Sequence, residues 1–120
     1  MHGISPEHLP QLQALIGETV TLIGVGEFQL LITTHPNPRG GISIEGRCEL
    51  LADDNRILDS WDRGDRSREF RFFDLLGRTI ESVAIDSAKS FVATFDGGIK
   101  LRVIDNSDQY ESFSVGNLFV

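Results

Sequence analysis

Eighteen aspartates and glutamates against eleven lysines and arginines make carboxylate chemistry the first question this chain raises. General acid–base catalysis needs one carboxylate desolvated and a second ionised at a fixed separation. The most orderly pair is Asp59 and Glu111, which open the triplets Asp59-Ser60-Trp61 and Glu111-Ser112-Phe113. The same positions suit a surface acid beside a buried aromatic at a strand end, and that structural reading is the favoured one.

Other chemistries lack their residues. His2, His8 and His35 have no second histidine or cysteine at zinc-ligand spacing. Asp53-Asp54-Asn55 opens like a calcium loop but lacks its glycine and closing glutamate, so it reads as a turn. Gly24-Val25-Gly26 misses the third glycine of a dinucleotide-binding turn, and Ser43 sits mid-strand rather than on a nucleophile elbow. Arg63-Gly64-Asp65 is a chance tripeptide in a charged joint. The expectation is a chain with no metal and no cofactor, leaning away from an enzyme.

Charge points instead to recognition. The net charge of −7 argues against a nucleic-acid partner, whose phosphates require clustered cations. Residues 1–61 hold three basic and eight acidic side chains, 62–78 five and four, and 79–120 three and six. Two acidic stretches therefore flank an arginine-rich joint. The candidate partner-binding residues are Glu45, Glu49, Asp53 and Asp54, an acidic face suited to a basic protein. His35 and Arg39 join them from the loop His35-Pro36-Asn37-Pro38-Arg39, stiffened by two prolines.

The elements that must position these residues are written twice. Leu15-Ile16-Gly17-Glu18-Thr19-Val20 recurs as Leu75-Leu76-Gly77-Arg78-Thr79-Ile80, and Thr34 followed by Gly40-Gly41-Ile42-Ser43-Ile44 recurs as Thr94 followed by Gly97-Gly98-Ile99-Lys100-Leu101. The reading is one α+β domain over 1–120, mostly antiparallel β. It has two pseudo-symmetric repeats, about 6–61 and 66–115, each a short helix followed by about four strands, sharing one core.

Ser5-Pro6, the apolar residues Leu9, Leu12, Leu15 and Ile16, and Gly17 predict a helix over 6–16. Asp65, Phe72, Leu75, Leu76 and Gly77 predict a second over 66–76. After each glycine the apolar phase jumps from Val20 to Ile23 and Val25, and from Ile80 to Val83 and Ile85, which predicts β-bulges near 21–22 and 81–82. Ile42, Ile44, Gly46, Cys48 and Leu50 alternate with polar residues and predict one strand over 41–51. Strands are also predicted at 19–25, 28–34, 57–61, 79–86, 90–95, 98–104 and 110–115, with a last extended stretch at 118–120. Phe95-Asp96-Gly97-Gly98-Ile99 predicts a tight hairpin.

Trp61, Phe113 and the lone Cys48 belong to the expected core. A single cysteine, a start without a basic and hydrophobic leader, and no long apolar run predict a cytoplasmic protein with no membrane partner. The sequence leaves a homodimer open.

The second copy, from Leu75-Leu76-Gly77 through Phe95-Asp96-Gly97-Gly98 to Tyr110-Glu111-Ser112-Phe113, resembles a group of small uncharacterised bacterial proteins. These share an apolar-apolar-Gly start, an Asp-Gly hairpin and a Tyr-Glu-Ser-aromatic ending. With Ile42-Ser43-Ile44-Glu45-Gly46 the resemblance covers most of 15–115. It implies an immunity or accessory role toward secreted toxins and carries no catalytic residue. The leading expectation is a non-enzymatic protein-binding domain. The alternative is a small hydrolase or ligand-binding domain using acidic residues between the two repeats.

Overall fold

A computed structural model describes residues 6–27, 29–36, 41–62, 70–105, 113–115 and 118–119. Alternating apolar and polar residues dominate these segments, and such a period buries one face of a strand. The described residues accordingly form ten strands in two antiparallel sheets and one short α-helix. The first sheet takes β1 (Thr19–Val25), β2 (Leu30–His35), β3 (Gly41–Ile44), β9 (Phe113–Val115) and β10 (Leu118–Phe119), in that order. In the second the order is β5 (Ile57–Trp61), β4 (Arg47–Leu51), β8 (Lys100–Ile104), β7 (Ser90–Phe95) and β6 (Ile80–Ser87).

Both expected bulges are present, as register shifts between Val20 and Leu22 in β1 and between Ile80 and Ser82 in β6. A second shift in β6, between Ile85 and Ser87, was not foreseen. The Asp-Gly hairpin closes as expected. Phe95 N–H donates to Ile99 O at 2.8 Å and Gly98 N–H to Phe95 O at 3.0 Å, with Gly97 and Gly98 at φ +85° and +86°.

Three expectations need correction. The strand expected over 41–51 is two strands: the chain leaves the first sheet after Ile44, crosses at Glu45-Gly46 and enters the second sheet at Arg47. Burial alternates without interruption through this corner, so the sequence period does not register the bend. The helix expected over 6–16 is a 3-10 turn, Pro6–His8, followed by α1, Leu9–Gln13. Pro10 in its first turn has no N–H to give, and no side chain caps α1. The second helix, expected over 66–76, is only a 3-10 turn at Phe72–Leu75 among the described residues. Phenylalanine is a weak helix former, and burying Phe72 and Leu75 needs a single turn. Ser5, Asp65 and the rest of 63–69 lie outside the described residues.

The core lies between the sheets. Ile32, Ile42 and Ile44 from one face meet Leu50, Trp61, Phe91, Leu101 and Val103 from the other, and Leu12, Leu15, Phe72 and Leu75 join them from the helical turns. Cys48 and Trp61 are buried as expected, while the side chain of Phe113 lies outside the described residues. The two sheets also touch at the starts of β1 and β6. Gly17 N–H donates to Ile80 O (2.8 Å) and Gly77 N–H to Val20 O (2.9 Å). Val20 N–H donates to Arg78 O and Ile80 N–H to Glu18 O, each at 2.9 Å, and the Thr19 and Thr79 hydroxyls meet at 2.9 Å. No helix among the described residues is long and apolar enough to cross a membrane.

Candidate functional site

The acidic turn follows β4 directly. Ala52 N–H donates to Arg56 O and Asn55 N–H to Ala52 O, both at 2.9 Å, while Asn55 takes φ 70°. The Asp54 carboxylate accepts from Arg56 N–H at 3.1 Å, the local bond that makes aspartate a turn residue. Asp53 and Asp54 are both exposed. Lys100 reaches this turn from β8, with Nζ 2.9 Å from Asn55 Oδ1 and 3.4 Å from Asp53 O. A cation is therefore tied to the turn through the Asn55 side chain and the Asp53 carbonyl.

Glu49 is held differently. Antiparallel pairing of β4 with β8 sets it opposite Arg102. Its two carboxylate oxygens meet Arg102 Nη1 and Arg47 Nη2, both at 3.3 Å, and its side chain is only 12% exposed. Arg102 Nε continues to Asp86 Oδ2 at 3.0 Å, and Ser90 Oγ donates to the other oxygen of Asp86. Charges thus alternate across the sheet, and Glu49 is compensated by two guanidinium groups. Glu45, at the crossing between sheets, is half-buried and has no such arginine partner among the described residues.

The expected site residues do not all share one sheet. Glu49, Asp53 and Asp54 belong to β4 and its turn in the second sheet. His35 ends β2 in the first sheet, exposed and in register with Thr19. Arg39 lies outside the described residues.

Two acids acquire roles that the sequence did not assign. Glu18 is buried at the junction of the sheets, where Thr34 Oγ1 donates to its Oε1 at 3.0 Å. The available signal was a break in the duplication: Glu18 stands where the second copy has Arg78. Asp59, expected as a surface acid beside a buried aromatic and also weighed as an acid–base candidate, is instead buried: it accepts Ser60 N–H at 2.8 Å on one oxygen and Arg71 N–H at 2.7 Å on the other. It fastens the arginine-rich joint, at Arg71, to β5. Its counterpart Glu111 lies outside the described residues.

Asp59→Asn should therefore cost about 1–3 kcal/mol, because an amide turns a donor toward a backbone N–H that then loses its acceptor. Urea unfolding would measure this, and an unchanged midpoint would remove the structural role. Among the described residues no three His, Cys, Asp or Glu side chains are grouped to hold a metal ion. No protein-family model, curated sequence or solved structure was found to match the chain.

Proposed function

We propose that this chain is a non-enzymatic, cytoplasmic protein-binding domain of the immunity or accessory kind, built from two halves related by an approximate two-fold axis, and that it receives a basic partner protein. The observation carrying this reading is how the acids divide. Glu18, Asp59 and Glu49 are each held by a hydroxyl, by backbone amides or by arginines. Asp53 and Asp54 stand exposed in a turn, and Glu45 stands half-exposed at a corner. The first kind maintains the fold, and the second can meet another surface.

The two-fold reading is supported by the reciprocal bonds joining 17–20 to 77–80 and by the paired bulges. The sheet orders support it too: β1–β3 are to β4 and β5 what β6–β8 are to β9 and β10. Each half gives three strands to one sheet and two to the other.

The experiment is kinetic. A partner isolated at low salt on the tagged protein is titrated against the triple variant Glu45→Gln, Asp53→Asn, Asp54→Asn. Complementary charge acts mainly on the association rate, so that rate should fall about tenfold and its salt dependence should flatten. Glu49, His35 and Arg39 are varied separately, since neutralising Glu49 would leave Arg47 and Arg102 facing each other. An association rate indifferent to both salt and the triple variant would end the proposal.

A further inference from the structure

Four strands end the two sheets, and they are protected unequally. An edge strand exposes a row of unpaired N–H and C=O groups, and proteins blunt such edges with charges, shortness or cover. β10 has two residues, β5 contains Asp59, and β6 contains Glu81 and Asp86. β1 is seven residues long, Thr-Val-Thr-Leu-Ile-Gly-Val, with no charge in it. Its first residues are engaged with 77–80, as described above, but Thr21–Val25 have β2 on one side and no strand on the other among the described residues. Leu22 and Val25 are each 50% exposed there.

We infer that β1 is a self-association edge, on which a second copy of this chain pairs its own β1 in antiparallel fashion to continue the first sheet across a two-fold axis. Pairing a strand with its own copy across a two-fold axis brings the charges of the two strands close together, so it is opposed wherever the strand carries charges of one sign. β6 would bring Glu81 and Asp86 toward their own copies. β1 brings none. With Ile23 on the axis, Leu22 of each copy faces Gly24 of the other, and Val25 faces Thr21. The two Leu22 side chains are then diagonal neighbours on one face, and Val25 is a diagonal neighbour of the other copy's Ile23 on the opposite face. Both exposed side chains lose solvent in one step, and the backbone groups that alternate residues of Thr21–Val25 direct away from β2 find partners. This edge is independent of the acidic turn assigned above to a basic partner.

Salt separates the two interactions. Each copy carries −7, so the copies repel at long range, and screening that repulsion strengthens self-pairing while weakening any attraction to a basic protein. Sedimentation equilibrium of the full chain over roughly 1 µM to 1 mM should show the mass rising from 13.3 kDa toward twice that value. Addition of 0.5 M salt should move the transition to lower concentration. Leu22→Lys and Val25→Lys should each weaken it at least tenfold with an unchanged melting temperature. Thr21→Lys, also at an exposed position, serves as a third variant if either of these unfolds. Amide exchange at Thr21–Val25 should slow as concentration rises. A monomer at 1 mM in high salt, or a dimer indifferent to all lysine variants, would overturn the assignment.

Discussion

Trp61→Ala should lower the unfolding free energy by about 3–5 kcal/mol, the usual cost of deleting a large core aromatic. Trp61 ends β5 and is only 1% exposed. It stands opposite Cys48 in β4 and belongs to the buried apolar cluster between the sheets. As the chain's only tryptophan, it also reports on itself: wild-type emission should be blue-shifted and should move red on unfolding in urea. The variant is followed by far-ultraviolet circular dichroism. An unchanged unfolding midpoint, or red emission from the folded wild type, would show Trp61 to be a surface contact residue instead.

The parts of this fold that the sequence reveals are those set by neighbours along the chain. The phase jumps at Val20 and Ile80 reveal bulges because an extra residue shifts every later side chain, and the shift stays visible in the letters. The corner at Glu45-Gly46 is hidden for the opposite reason. Ile42, Ile44, Gly46, Cys48 and Leu50 are all buried, so the period of two passes unbroken from one sheet into the other. Gly46 is the only local hint of the bend, since glycine in a strand often marks one. The second helix is misjudged because Phe72 and Leu75, three apart, fit a 3-10 turn as well as an α-helix. At the candidate site the solvent side of Glu49 is legible, but its compensation is not. Arg102 lies 53 residues away, and only the register of β4 with β8 brings the two together.

The other large effect is expected at Gly41, where Gly41→Ala should cost about 3–5 kcal/mol, joining an unfavourable backbone region to overpacking. Gly41 opens β3 at φ +124°, which side chains rarely adopt. A Cβ built there would lie 2.3 Å from Ile32 O and 3.2 Å from Thr33 Cα. Both are backbone atoms of β2, to which Gly41 is paired, so neither can turn aside as a flexible side chain would. Relief would require parting β2 from β3, and β3 is the central strand of its sheet, between β2 and β9. Its far end continues into β4, so the displacement would reach the second sheet as well. Gly17→Ala is the control: φ is +91°, but nothing lies within 4 Å of the added carbon, so only the backbone term of roughly 1–2 kcal/mol applies. Urea unfolding of the two variants side by side separates clash from conformation. Equal losses at the two positions would show that β2 and β3 can separate at no cost and that the central strand is not the rigid element described here.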